Sequence, residues 1–315
     1  MSNFFTPLAF VLSLGVVFVN GFTDAPSAIA TSVGSGALSI KKASLIGAIF
    51  NFLGVVISSL LFPSLSRLVF SLGGFGKSSP LGLCAVLLTV IVFALICLKF
   101  SLPSSESHAL ICGILGASFA LNSAQSLKMV GEVFVFLIIS WVFALCSSYI
   151  VGYIISKRLP KKHLQITACA LNSLMHGWQD GQKLIGIIFT LFIAKGDGFS
   201  PPLYLILAVG GILAIGSFVG SGKIVKSLGF DIVPLSYDSA ISAELGTYFT
   251  LLVFSIAGAP VSTGNIKSLA TVGAGLFDKR KINFKMVFKL IFVSLITFPA
   301  CFLISYALTL LFKLF

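Results

Sequence analysis

Long apolar runs, separated by short basic or Gly- and Pro-containing turns, fill the chain from about residue 8 to residue 312. Continuous runs of this length predict helices that span a bilayer rather than the narrow apolar stripe of a soluble helix. About ten crossings can be drawn, at roughly 8–30, 44–62, 81–100, 103–121, 131–155, 164–193, 202–219, 239–257, 260–276 and 286–312. A β-barrel would show alternating stretches of about ten residues instead. Segments 103–121 and 260–276 stand apart: they are short, rich in Ser, Gly and Thr, and open at Pro. They predict broken or re-entrant half-helices, which a membrane tolerates only inside protein or along a cavity. No basic n-region or small-residue cleavage site marks the start, so the first run is expected as a retained helix, not a signal peptide.

Composition agrees with the pattern. Of the 315 residues 57% are hydrophobic and only 10% charged, and the mean hydropathy is +1.09. A soluble domain of this size could not cover its surface with so few charges. The net charge of +12 comes mostly from short loops, which points to positive-inside topology and not to a nucleic-acid partner. With every segment crossing once and the N-terminus outside, fourteen basic residues face the cytoplasm, among them Lys41, Lys42, Lys157, Arg158, Lys161 and Lys162. Five, Arg67, Lys77, Lys128, Lys195 and Lys313, face outward. Both termini are therefore expected outside. The six Cys are scattered without a CxxC pair and read as packing residues.

The chain repeats itself. Asn20-Gly21-Phe22-Thr23-Asp24 is similar to His176-Gly177-Trp178-Gln179-Asp180, offset by 156 residues. Pro103-Ser104-Ser105-Glu106-Ser107 is similar to Pro260-Val261-Ser262-Thr263-Gly264, offset by 157. Five crossings per copy is an odd number, so the second copy must be inverted. The expected architecture is an all-α polytopic membrane protein with two inverted repeats of about five segments, 1–155 and 164–315. A basic cytoplasmic connector, 156–163, joins them. Such repeats place a substrate site near the midplane.

Acids inside apolar segments need a partner, a proton or a cation. Asp24, Asp180, Glu106 and Glu244 are such acids. Oxygen ligands suit a hard cation, and Asn20, Thr23, Gln179 and Gln182 could add more. The acids could equally be helix-packing groups satisfied by hydroxyls or by Lys183. The two Ser-rich segments expose helix N-termini, which attract anions; Ser105, Ser107, Ser262 and Thr263 would add hydroxyl donors. Plain N-capping explains the same residues without a ligand. No GxSxG, HExxH or Walker sequence occurs, so no enzyme is expected.

These motifs resemble the PiT family of inorganic phosphate transporters. The carriers are residues 20–40, NGFTDAPSAIATSVGSGALSI; 176–188, HGWQDGQKLIGII; 103–110, PSSESHAL; 260–275, PVSTGNIKSLATVGAG; and 224–245, which leads to Glu244. The resemblance implies a multi-pass cell-membrane symporter of inorganic phosphate with Na+ or H+, without other cofactors, and a homodimer. It implies phosphate ligation by Ser105, Ser107, Ser262 and Thr263, and ion sites lined by Asp24 and Asp180, which bind the metal if sodium is used. Asn265 is expected to join the phosphate site, and Asn20, Gln182, Glu106 and Glu244 the coupling-ion sites. The family's Asn before each signature Asp is Thr23 and Gln179 here, and its Ser-Thr-Thr-His is Ser262-Thr263-Gly264-Asn265. A sulfate or other oxyanion permease, or an anion channel, is the alternative.

Overall fold

The computed structural model describes residues 2–72, 79–102, 105–123, 127–155, 161–192, 199–220 and 222–314. Pro103, Ser104 and residues 156–160 of the connector lie outside them, as do Lys77 and Lys195. Every element among the described residues is a helix: α1 Ser2–Thr23, α2 Pro26–Gly34, α3 Ile40–Leu61, α4 Ser64–Leu72, α5 Pro80–Lys99, α6 Glu106–Ala120, α7 Leu127–Ile155, α8 Lys161–Phe189, α9 Leu203–Val219, α10 Gly222–Gly229, α11 Tyr237–Ile256, α12 Thr263–Phe277 and α13 Phe284–Phe312. Among the described residues six stretches are long and apolar enough to cross a bilayer: Phe4–Gly34 taken through its break, α3, α5, Gly131–Ile155 in α7, α11 and α13. The half-helices α6 and α12 have 15 residues each. At 1.5 Å per residue that is about 22 Å, short of the roughly 30 Å hydrocarbon core.

The structure corrects the sequence reading in three places. The run 8–30 is two helices, because α1 stops at Thr23 and α2 starts at Pro26. Pro26 has no N–H for the Phe22 carbonyl and its ring crowds that turn; the Asn20 carbonyl accepts from the amides of both Asp24 and Ala25, at 2.9 and 3.2 Å. The second half-helix does not open at Pro260: residues 259–262 are not helical and the helix begins at Thr263. The short α4 and α10 were not anticipated, being only 9 and 8 residues long.

A shift of 157 residues carries α5, α6 and α7 onto α11, α12 and α13, with lengths of 20, 15 and 29 residues in both sets. The corners recur as well. Left-handed residues Ser101 (φ 56°) and Asn122 (φ 53°) are matched by Gly258 (φ 67°) and Lys279 (φ 51°). Each corner closes with the same bond across the turn: Leu102 N to Cys97 O, Ser123 N to Ser118 O, Ala259 N to Phe254 O, and Arg280 N to Gly275 O, all 2.9–3.0 Å. This is the Schellman closure of a helix C-terminus. Packing exchanges partners in the same sense: α6 lies on α13 and α12 on α7, while α3 lies on α8 and α9 on α1. The one departure is α8, which runs unbroken where the first set has α1 and α2, since it has Gln182 in place of Pro26.

The main core gathers Val17, Leu83, Leu87, Ile114, Ile185 and Ile188 around α1, α5, α6 and α8. Ile138, Val142, Phe288, Phe292 and Leu303 point outward, as lipid-facing side chains do. The α3–α8 crossing brings backbone against backbone, and a Cβ at Gly177 would fall inside the Asn51 carbonyl. Gly177→Ala is therefore expected to lower stability by about 1–3 kcal/mol. Gly211→Ala is expected to cost nothing, since a Cβ there meets no atom within 4 Å. Melting of the two purified variants in detergent checks the contrast; equal melting would mean that the crossing is loose.

Candidate functional site

Helical spacing lines up His176, Gln179, Asp180 and Lys183 on one face of α8, at i, i+3, i+4 and i+7. The end of α1 delivers Asn20, Thr23 and Asp24 to the same region, and the N-termini of α6 and α12 close it. Asp24 and Asp180 are 1% and 2% exposed. Thr263 Oγ1 donates to Asp24 Oδ2 at 2.9 Å and lies 3.3 Å from Asp180 Oδ2. Asn20 Nδ2 donates to Asp180 Oδ2 at 3.2 Å, and Lys183 Nζ to Asp180 Oδ1 at 2.7 Å. The repeat-related acids thus share one threonine. The Asp180–Lys183 ion pair anticipated as a packing interaction is formed. Thr23 Oγ1 meets Glu106 Oε1 at 2.5 Å, which joins the third acid to the group. Gln179 turns aside and donates to Ser255 Oγ and the Ala259 carbonyl.

His176 adds a constraint. Its Nδ1 is 2.9 Å from Asn51 Oδ1, and the Asn51 amide donates to Ser217 Oγ at 3.1 Å. With Asn51 so oriented, the proton of a neutral imidazole sits on Nδ1. Nε2 then turns a lone pair toward Asp180 Oδ2 at 3.3 Å. Two acceptors side by side call for a proton or a cation between them. One ligand atom each from Asp24, His176 and Asp180 lies within 4.8 Å of the others. Asp24 Oδ1 and Asn20 Oδ1 are buried without a hydrogen-bond partner among the described residues. A small cavity of about 10 Å³, room for one water or ion, touches Asn20, Glu106, Ser107, Asp180 and Lys183.

The half-helix serines lie against this cluster. Ser105 Oγ donates to Ser262 Oγ at 2.9 Å, so repeat-related hydroxyls meet directly. Ser262 also caps α12 by accepting from Asn265 N at 3.4 Å, as plain capping foresees. Ser105 makes no such bond to α6. Ser107 Oγ donates to the Val261 carbonyl at 2.9 Å and accepts from Lys183 Nζ at 2.5 Å. Anion-type donors and cation-type acceptors are therefore neighbours.

The chain matches the Phosphate transporter family over residues 20–164 and 156–305. It belongs to that family. A "probable low-affinity inorganic phosphate transporter" of Rhizobium meliloti is 30% identical over 95% of this chain and 96% of its own length. A protein of the same description from Bacillus subtilis is 28% identical, over 93% of each chain. The solved structure titled "The sodium-dependent phosphate transporter" superposes with a TM-score of 0.86 at 17% identity, covering 98% of this chain and 99% of that one. The family is one of membrane transporters, not enzymes, and this member is a multi-pass membrane protein.

Three residues expected at the site face elsewhere. Gln182 Oε1 accepts from the amides of Leu65 and Ser66 at 3.2 and 3.3 Å, and so caps α4. Asn265 Oδ1 accepts from Ser294 Oγ at 2.7 Å, toward α13. Glu244 centres a second buried cluster: its Oε1 accepts from Thr31 and Ser32, and its Oε2 from Asn172 and Lys267, at 2.5–2.9 Å. Gln165 in turn donates to Ser32 Oγ at 2.9 Å. Lys267, 1% exposed, was missed by sequence reasoning, although a lysine inside an apolar segment is itself a signal. Lys267→Met would leave Glu244 buried without its counter-charge and is expected to cost about 3–5 kcal/mol. Adding Glu244→Gln should restore part of that stability. Thermal melting of the single and double variants checks this; additive losses would deny the pairing.

Proposed function

We propose that the chain is a secondary transporter that moves inorganic phosphate together with a cation, sodium or proton, through the Asp24–Asp180 cluster. The observation that carries this reading is the meeting of two half-helix N-termini, through Ser105 and Ser262, beside buried carboxylate and amide oxygens that lack donors. Helix N-termini with hydroxyls suit a tetrahedral oxyanion. In the bound arrangement Ser105 and Ser262 would each donate to a phosphate oxygen in place of the bond between them. Asn20 Oδ1, Asp24 Oδ1 and Asp180 Oδ2 suit a hard cation, while His176 Nε2 equally suits a proton.

Adjacency of the two sites supplies the coupling. Bare carboxylates repel an incoming phosphate, and the repulsion is strong where water is excluded. A cation on the acids removes it, so each ligand raises the affinity for the other by the same factor. The recurrence of elements supports reading 1–155 and 164–315 as repeats, and the odd number of crossings with the bias of basic residues supports their inversion, both termini outside and 156–163 cytoplasmic.

Labelled-phosphate uptake into proteoliposomes, with sodium and pH gradients imposed in turn, tests the proposal. Accumulation driven by one of them is expected, and inhibition by excess sulfate would favour a broader oxyanion permease. Asp24→Asn should abolish accumulation while the protein still inserts. Ser105→Ala should weaken phosphate binding about 10- to 150-fold, the value of a hydrogen bond to a charged group. Ser262→Ala should do the same and also lose about 1 kcal/mol of helix capping. Normal binding in both serine variants would leave these residues as helix caps only.

A further inference from the structure

Asp24 and Asp180 hold corresponding places in the two halves, yet their surroundings differ by one charge. Three residues beyond Asp180 stands Lys183; three beyond Asp24 stands Ser27. Lys183 Nζ lies 2.7 Å from Asp180 Oδ1, 2.5 Å from Ser107 Oγ and 2.7 Å from the Val261 carbonyl oxygen. A carboxylate, a hydroxyl and a peptide oxygen thus surround the nitrogen, the donor set that holds a small hard cation. The lysine side chain is 4% exposed. An ammonium has three N–H donors, and the three oxygens match them. Asp24, by contrast, keeps a buried Oδ1 without a hydrogen-bond partner among the described residues.

We propose that the Lys183 ammonium is a resident cation of the transport site, filling for Asp180 the place that a mobile cation would otherwise take. Coupling then requires a mobile cation on the Asp24 side only. The inference rests on the reading of this cluster as the transport site. A tethered ammonium cannot cross the membrane with its load. Each transported phosphate is therefore accompanied by one positive charge fewer than at a site where both acids take mobile ions. A direct phosphate contact is the rival role, but the three N–H groups already have protein acceptors.

Lys183→Ser and Lys183→Asn each remove the charge and, being shorter, vacate the position of Nζ between the Asp180, Ser107 and Val261 oxygens. Equilibrium binding of labelled phosphate to the purified proteins, at fixed pH in sodium or in choline, is the measurement. Melting temperatures in the two salts accompany it. In choline both variants are expected to bind phosphate at least about tenfold more weakly than the wild type, because Asp180 then repels the anion without its counter-charge. Sodium should restore most of that binding, with one more sodium ion bound per phosphate than in the wild type. Sodium should also raise the variants' melting temperature more than the wild type's, as a ligand that binds only the folded state does.

Two results overturn the proposal: binding that no sodium concentration restores, which makes Lys183 an anion ligand, and wild-type binding in choline, which makes it a spectator. Variants that are aggregated in both salts assign Lys183 to the scaffold and overturn it as well. Asp24→Asn and Ser105→Ala, measured alongside, separate this from a misplaced site. If those two variants bind phosphate normally, the transport site lies elsewhere, whatever Lys183 does.

Discussion

A carboxylate sealed from water must be met by donors, and lipid supplies none. Asp180 draws on Asn20 from α1, Thr263 from the head of α12, and Lys183 from its own helix. No single span can present groups from so many directions. The break after Thr23 and the two half-helices that stop inside the protein bring chain ends, with their free donors, to the acids. The close crossing of α3 and α8 at Gly177 sets Asn51 against His176, and through the imidazole it reaches the same carboxylate. The architecture around the site can be read as the means of surrounding two acids.

Among the described residues both buried acid clusters leave amide acceptors over, Asn172 Oδ1 and Gln165 Oε1 around Glu244 and Asn20 Oδ1 beside Asp24; they differ at the carboxylate itself. Every oxygen of Glu244 has a donor, including one full counter-charge. Such a network ties α2, α8, α11 and α12 together and specifies their arrangement. The Asp24 cluster leaves acceptors over, at Asp24 Oδ1 and Asn20 Oδ1. A native protein keeps few such groups, and each calls for an explanation. A mobile cation or proton is the one offered by the chemistry of oxygen acceptors. The satisfaction of the carboxylate, more than the presence of charge, distinguishes the two clusters.

Much of this was legible in the sequence. Acids in apolar runs, Ser-rich short segments and a common offset identified Asp24, Asp180, Ser105 and Ser262, and the structure brings all four together. Side-chain direction was less legible. Gln182 sits two residues past Asp180, about 200° around a helix, so it had to face away, toward α4. Asn265 lies three past Ser262, where its amide serves the cap while its side chain is free to turn to α13. Lys267 was hidden because its partner, Glu244, is distant in sequence and belongs to no repeated motif. The α1–α2 break shows in Pro26, but an apolar run on both sides of a proline reads as one span.

The exchange of packing partners between the halves has a consequence for biosynthesis. α6 rests on α13, which begins more than 160 residues later in the chain. At 5–20 residues per second, the ribosome needs roughly 10 to 40 s to travel from the end of α6 to the end of α13. During that interval a 15-residue helix bearing Glu106 at its first turn has α5 beside it but not the α13 face that completes its burial. The first half therefore lacks part of its packing until α13 has been made.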